Sequence, residues 1–568
     1  MRKKIAFVFF NFCISIILWH SATSQHYRFT VVNMTPAARS PETFDDGEPN
    51  IAVNPANPQI IAASAFTFAN NGTPCLNPPS PCTGVQFPNC RAPIYLSVDG
   101  GNTWQLRQIL PSNNGITHDI TLAFGPTGYL YAGILKGCQF PDVFRGFMTL
   151  RSASNSNAYW TSPTLTDMRE VDNKFGAQFD QPWIVACGAR DPGNQQVFHD
   201  QVFVGVNRNQ NRRSAIPAEE GKTARIIFSN NAESPTPIFN ARLIETVGTA
   251  ERNLSGIRVA AHSSGKVYAI FYRWKSGGLN AERLNAGFRT ELSPPNCDVV
   301  VVRDDHLGTE SIPFGALGGP AGIVVANDQV VPISYPQLSY MGIDDGGKLG
   351  NVRLVGANLS IAVDPNNDQH VFIAWCAKSN NSYQLYFSQS WDGGLTWSNN
   401  GLPPLPSTLN PAIAMTTDNK VGFLYQKLTD DGWWETHFTV KHWVTSTPLP
   451  LLIPQAGYIP DYVLNRFRDN ELPLLDLAEL NKRPSLGEYL DLEAVGNSFY
   501  GVFSAFNKPD SSSGRQRNWR FPEDVRFNRH QDQKTGQLVN APGGSPVRNS
   551  VDPFFFKAEV FPSLVINK

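Results

Sequence analysis

Leu359-Ser-Ile-Ala-Val-Asp-Pro-Asn-Asn-Asp368, followed one residue later by His370-Val-Phe-Ile-Ala-Trp375, is a strand, a turn and a second strand. The first run alternates and is β-branched, and the second is β-branched and aromatic; both suit a pleated, partly buried surface. Asp-Pro-Asn-Asn between them supplies side chains that bond local backbone and a proline that pre-sets φ, which is turn chemistry.

The same unit recurs along the chain. Asn50-Ile-Ala-Val-Asn-Pro-Ala-Asn-Pro58 precedes Ile60-Ile-Ala-Ala-Ser-Ala-Phe66, and Asp119-Ile-Thr-Leu-Ala-Phe-Gly-Pro-Thr-Gly128 precedes Tyr129-Leu-Tyr-Ala-Gly133. Ile257-Arg-Val-Ala-Ala261, Pro411-Ala-Ile-Ala-Met415 and Leu490-Asp-Leu-Glu-Ala-Val495 open three further copies, and Gln181-Pro-Trp-Ile-Val-Ala-Cys187 opens one with a longer turn. Repetition of one sheet unit implies blades set radially about a channel. The expectation is an all-β chain forming a single β-propeller of seven four-stranded blades, with six as the alternative. Blades start near Glu48, His118, Asp180, Ser255, Gly356, Leu409 and Glu488. A two-domain sandwich is the competing reading, but sandwiches do not repeat one unit shape. The strand Tyr27 to Val32 is placed to close the ring by pairing with the last blade, which protects both edges. Two insertions stand outside the repeat. Lys275 to Pro295 reads as a loop, and Tyr458 to Pro484 as a short helical insertion, because Val463, Leu464 and Phe467 are spaced three and four apart.

Composition agrees with many short strands and tight turns. Of 568 residues, 45 are Gly and 43 Pro, 11% are aromatic and only 17% charged. A formal net charge of −1 gives no footprint for nucleic acid, and no later stretch is apolar and long enough to span a membrane. The first residues form a targeting segment: Arg2, Lys3 and Lys4, the apolar run Ile5 to Trp19, then Ala22-Thr-Ser24 before Gln25. The expected organisation is a signal peptide over 1–24 and a propeller over 25–568, secreted to the periplasm or the exterior. Export permits disulfides. The mature chain keeps Cys75, Cys82, Cys90, Cys138, Cys187, Cys297 and Cys376, an odd number that leaves at least one thiol out of any pairing. A bridge within Cys75 to Cys90 would stiffen a Pro-rich loop. The spacing does not suit zinc, and no metal or other cofactor is expected.

Two segments share the pattern Ser-x-Asp-x-Gly-x-Thr-Trp: Ser97-Val-Asp99-Gly-Gly101-Asn-Thr103-Trp104 and Ser390-Trp-Asp392-Gly-Gly394-Leu-Thr396-Trp397. Ser and Asp bond local amides, Gly accepts φ values closed to other residues, and Trp buries a large face beside the hairpin. The pattern resembles the bacterial neuraminidase repeat, or Asp-box, of the sialidase-like superfamily. Asp180-Gln-Pro-Trp-Ile-Val-Ala186 and Gly487-Glu-Tyr-Leu-Asp-Leu-Glu-Ala-Val-Gly-Asn497 are also similar to secreted sialidase-like proteins. The resemblance implies a propeller whose Asp-boxes are structural, so Asp99 and Asp392 are fold markers and not catalytic acids.

Propellers carry ligand sites where the inner strands begin. The candidates there are Asp119, Asp180, Glu488 and Tyr489 for catalysis, and Glu48, His118, Arg258, Asn358, Asn410 and Asp491 for ligand binding. Converging carboxylates can supply the acid and base of glycoside hydrolysis, and the resemblance to sialidases implies that Tyr489, beside Glu488, could act as a nucleophile. The same polar residues also serve to satisfy turn backbone. The resemblance implies three arginines around a substrate carboxylate, the first in Arg-Ile-Pro; that motif is absent, Arg28 precedes Phe-Thr, and Arg258 is better placed than Arg91 or Arg353. An uncharged glycan or a protein is therefore the expected partner. Two classes stay open: a glycoside hydrolase acting on extracellular glycans, and a non-catalytic glycan- or protein-binding propeller. A carboxylate pair at the mouth favours the first, a plugged mouth the second. His437 and His442 do not read as a metal pair, and Asn33, Asn71, Asn253, Asn358 and Asn380 begin glycosylation sequons.

Overall fold

The protein is seen here as a computed structural model. It describes residues 26–35, 46–67, 93–109, 116–137, 145–162, 168–172, 179–191, 194–208, 224–245, 256–276, 296–306, 314–319, 321–330, 358–379, 382–398, 403–442, 461–468, 489–508, 525–526, 530–532, 534–539, 542–547, 549 and 551–561. Seven antiparallel sheets form a seven-bladed β-propeller. Blades one to six run in chain order, each from its inner strand outward. The inner strands are Asp46–Val53, Ile116–Phe124, Phe179–Asp191, Arg258–Ala261, Leu359–Asp364 and Thr408–Met415. Successive inner strands lie side by side, and that of blade seven, Asp491–Val495, meets the first.

Blade seven is built from both ends of the chain. Asp491–Val495 pairs with Ser498–Phe506, which pairs with Val551–Phe561, and the N-terminal strand His26–Asn33 adds to the last in register from His26 with Phe561 to Asn33 with Phe554. This is the closure the sequence suggested, with no free edge between the first and last blades.

The core lies between blades. One cluster joins Ala62, Ile94 and Leu96 of blade one to Ile120, Leu122 and Met148 of blade two. Another joins Phe203, Ile226 and Phe228 of blade three to Val259, Phe271 and Val300 of blade four. The others repeat the arrangement, so each sheet buries both faces against its neighbours.

The helical reading of 458–484 is corrected. Tyr462–Arg468 is the outer strand of blade six, pairing with Trp433–His442, and the rest of that insertion lies outside the described residues. The single helix described is the short Asn157–Thr161. Lys275 and Ser276 likewise end a strand, while residues 277–295 are not described. The signal segment, residues 75–90 and Cys138 are also outside the described residues; Cys187, Cys297 and Cys376 are free thiols buried in three different blades. Among the sequons, Asn33 and Asn358 are fully buried, Asn33 donating to Asp552, and neither side chain is accessible for glycosylation.

The two Ser-x-Asp-x-Gly-x-Thr-Trp segments join the outer strands of blades one and five and have the same internal bonds. Ser97 Oγ donates to Asp99 Oδ1 at 2.8 Å and accepts from the Gly101 amide at 2.9 Å. Asp99 accepts from the Thr103 amide at 2.9 Å and hydroxyl at 2.7 Å, and Trp104 Nε1 donates to the Gly101 carbonyl at 3.1 Å. Ser390, Asp392, Gly394, Thr396 and Trp397 repeat every bond. Burial opposes ionisation of Asp99 and Asp392, but the donors from Thr and Ser outweigh it and hold both below the usual carboxylate range. Gly101, at φ +91°, could not be another residue: a Cβ there would meet the Phe555 ring at 2.0 Å. Each turn docks on the preceding blade, the first against Phe555 of blade seven and the second through Arg303 of blade four, whose Nη1 donates to the Gly393 carbonyl.

Candidate functional site

Register aligns one residue from each inner strand at a common level: Asn50, Thr121, Trp183, Arg258, Ser360, Ala412 and Asp491 in blades one to seven. The inner strand has no partner on its channel side, so its amides there need acceptors. At four junctions the aligned side chain supplies one to the next blade. Asp491 Oδ2 accepts from the Ile51 amide at 3.0 Å, Asn50 Oδ1 from Leu122 at 2.5 Å, Thr121 Oγ1 from Ile184 at 3.1 Å and Ser360 Oγ from Ile413 at 3.0 Å. Asp491 Oδ2 also accepts from Asn50 Nδ2 at 2.7 Å, and Glu493, one step below, from the Val53 amide at 2.7 Å. These side chains form a ladder of clamps around the ring.

Trp183, Arg258 and Ala412 break the ladder; beyond Ala412 the Leu492 amide is met by its own Asp491 at 2.9 Å. Trp183 and Arg258 carry donors only. The Arg258 guanidinium lies 4.0 Å from the Trp183 ring centre and 5.4 Å from that of Tyr489, and the two rings meet edge to face at 5.5 Å. Blades three and seven are not neighbours, so the Trp183–Tyr489 contact crosses the channel and plugs it. Arg258 and Tyr489 are buried, whereas Trp183 keeps accessible surface.

Two residues before that level, nearer the strand starts, lie Glu48, Asp119, Gln181, Asn358, Asn410 and Tyr489, five of the ten candidates among them. Bulges fall there in blades one, two, three and six. Glu48, Gln181 and Asn410 adopt φ of 54°, 50° and 51°, each just before a proline. Left-handed φ at a non-glycine residue is strained, and three at one level of one mouth mark a place where side chains are re-aimed.

The candidates then part company. Asn358 and Asn410 are buried and structural: Asn358 Oδ1 accepts from the Asn410 amide, and Asn410 Nδ2 donates to Gln426. Asp491 is a clamp between blades; burial pushes its carboxyl up to about 7, against the opposing pull of its donors and Arg258. Burial and the Asp491 charge also raise Glu493 well above the ordinary range. Glu48 and Asp119 are half-buried in adjacent blades. His118 and Asp180 lie in inner strands but their side chains are outside the described residues, as is Glu488. Sequence reasoning missed Trp183 and Gln181 as site residues. The signal was present: Glu48-Pro49, Gln181-Pro182 and Asn410-Pro411 repeat a dipeptide at the same blade position. His437, in the outer half of blade six, is engaged by Asp461 at Nδ1 and Glu435 at Nε2, both at 2.9 Å. No group of three or more metal-ligating side chains occurs among the described residues.

No family model matches the chain, and no curated protein does. Solved structures are similar to it at low TM-scores only. A protein of unknown function from Dyadobacter fermentans is 12% identical with a TM-score of 0.39, covering 94% of this chain and 99% of that one. The endosialidase of phage phi92 is 9% identical (TM-score 0.37; 96% and 70%), and a polysaccharide lyase described as an ulvan lyase is 8% identical (0.38; 82% and 92%). At these values the chain's function has to be read from its own residues.

Proposed function

We propose that this chain is an exported β-propeller that binds an extracellular glycan at the mouth above Trp183, without cleaving it. The observation that carries the reading is the plug: Trp183, Arg258 and Tyr489 meet across the channel and give the mouth an aromatic floor with one accessible ring. Sugar rings present an apolar face suited to an indole, while strained Glu48 and Gln181 and the neighbouring Asp119 offer polar groups around it. The Asp-box reading of the two turns fits the same assignment, since they sit on outer strands and act as fasteners between blades.

The enzyme reading draws its support from the half-buried pair Glu48 and Asp119 on adjacent blades; the side chains of Asp180 and Glu488 lie outside the described residues. A glycan array probed with the whole secreted protein, beside a chromogenic glycoside screen, separates the two. Binding without turnover, lost at least tenfold in Trp183→Ala, is expected; turnover abolished by Glu48→Gln or Asp119→Asn establishes the hydrolase instead.

A further inference from the structure

In the outer half of blade six, one imidazole ties two strands together. His437, in the strand Trp433–His442, meets Glu435 of its own strand at Nε2 and Asp461 at Nδ1, both at 2.9 Å. A carboxylate accepts and does not donate, so both ring nitrogens carry protons and the ring is a cation. Tyr425, in register with His437 on the next strand inward, stacks on it with ring centres 5.2 Å apart. The Tyr425 hydroxyl donates to the other oxygen of Asp461 at 2.9 Å. The charges acting on the imidazole are those of Asp461 and Glu435. Lys427 and Arg466, from the strands on either side, act on Glu435; Lys427 also acts on Asp461, and Asp461 on Lys441. Blade five meets this face through the apolar rings of Phe372 and Phe387, packed on Phe423.

Asp461 leads directly to the closure of the ring. The next residue, Tyr462, begins the outer strand Tyr462–Arg468. Its ring centre lies 4.4 Å from that of Phe29 and 6.4 Å from that of Tyr27, both in the N-terminal closing strand, and its side chain bonds the Tyr27 backbone.

We propose that His437 is a pH-sensitive latch on the closing strand His26–Asn33: its cation fixes Asp461 and, through Tyr462, the seat of Phe29 and Tyr27. A neutral imidazole has one N–H and can serve only one of the two carboxylates, so loss of the proton sets the other free. The Asp461 side chain is 41% exposed, which lets the ring exchange its proton without the blade opening. Burial opposes the charge on His437, but the bonds to Asp461 and Glu435 outweigh it and raise the ring above the ordinary histidine range. A value raised in the folded chain gives stabilisation that is complete below the unfolded value of about 6.5. That stabilisation is lost as pH climbs through the folded value. The closing strand is therefore held in mildly acid surroundings and loosened in alkaline ones. The latch is independent of the glycan site at the mouth.

Two measurements on the full chain test the latch. Ring 15N NMR of histidine-labelled protein should show both His437 nitrogens protonated at pH 6.5, with a midpoint above that. The signal is assigned by its loss in His437→Gln or, should that variant not fold, by its shift in Asp461→Asn. Hydrogen exchange, corrected for the intrinsic effect of pH, should show protection of His26–Asn33 falling about tenfold from pH 6 to pH 9, with Val267–Ser276 of blade four unchanged. His437→Gln, which cannot titrate, should remove that fall. Asp461→Asn, which keeps the shape and removes one charge, should lower both the His437 midpoint and the exchange transition by about one pH unit. Asp491, which burial pushes up to about 7, is intact in both variants, so a transition common to all three chains belongs to it. A His437 midpoint at or below 6.5 overturns the latch. So does an exchange transition unaltered in Asp461→Asn, or one equally large in Val267–Ser276.

Discussion

Two arcs of the same ring use one structural position in opposite ways. From blade seven through blade two, Asp491, Asn50 and Thr121 each reach the backbone of the next blade, so the position fastens the ring. At blades three and four the same position holds Trp183 and Arg258, which reach across the channel to Tyr489 instead of along the wall. The fastening arc begins in blade seven, where the two chain ends pair along His26–Asn33 and Val551–Phe561. The other arc lies within continuous chain, where Phe203, Phe228, Val259 and Phe271 already hold blades three and four together. A ring held by apolar wedges can release a few inner positions for binding, away from its seam.

The seam should respond most strongly to change. Asp491→Ala leaves Asn50 Nδ2 and the Ile51 amide buried without their acceptor, at a cost of about 3 kcal/mol. The pH dependence sharpens this. Burial raises the Asp491 carboxyl to about 7 in the folded chain, above its unfolded value near 4, so the folded state binds that proton more tightly. Its contribution is full below about pH 4 and is lost as pH climbs to about 7. Urea denaturation should therefore show a larger penalty for Asp491→Ala at pH 5 than at pH 8. An equal penalty, or one larger at pH 8, breaks the account of the seam.

The two Ser-x-Asp turns give a smaller effect. Asp99→Ala and Asp392→Ala each remove bonds to a Thr amide and hydroxyl at a partly exposed site, and each should cost about 1–2 kcal/mol. Thermal melts should place the two close together, with ligand binding per folded molecule unchanged. Loss of binding with an unaltered melt would make these turns part of the site.

The blade count and the closing strand were legible because inner and second strands repeat a period-two pattern in every blade. Tyr462–Arg468 was not legible as a strand. Tyr27, Phe29 and Phe506 pack against it from the closing blade, so Tyr462, Val463, Leu464, Asn465 and Phe467 are all buried. Burial on both faces erases alternation and leaves a spacing that imitates a helix. At the site, the shared level of Glu48, Asp119, Asn358, Asn410 and Tyr489 followed from the repeat. Their division into clamps and mouth residues did not, because it depends on which side chain reaches the next blade. That depends on register, bulges and the reach of each group.

Hydrogen exchange at the aligned inner-strand amides tests the division of the ring most directly. Ile51, Leu122, Ile184 and Ile413 are capped by neighbouring side chains and should exchange slowly, whereas Val259 and Ile361 should exchange at least tenfold faster in the ligand-free protein. Equal protection at all six positions would contradict the two-arc account.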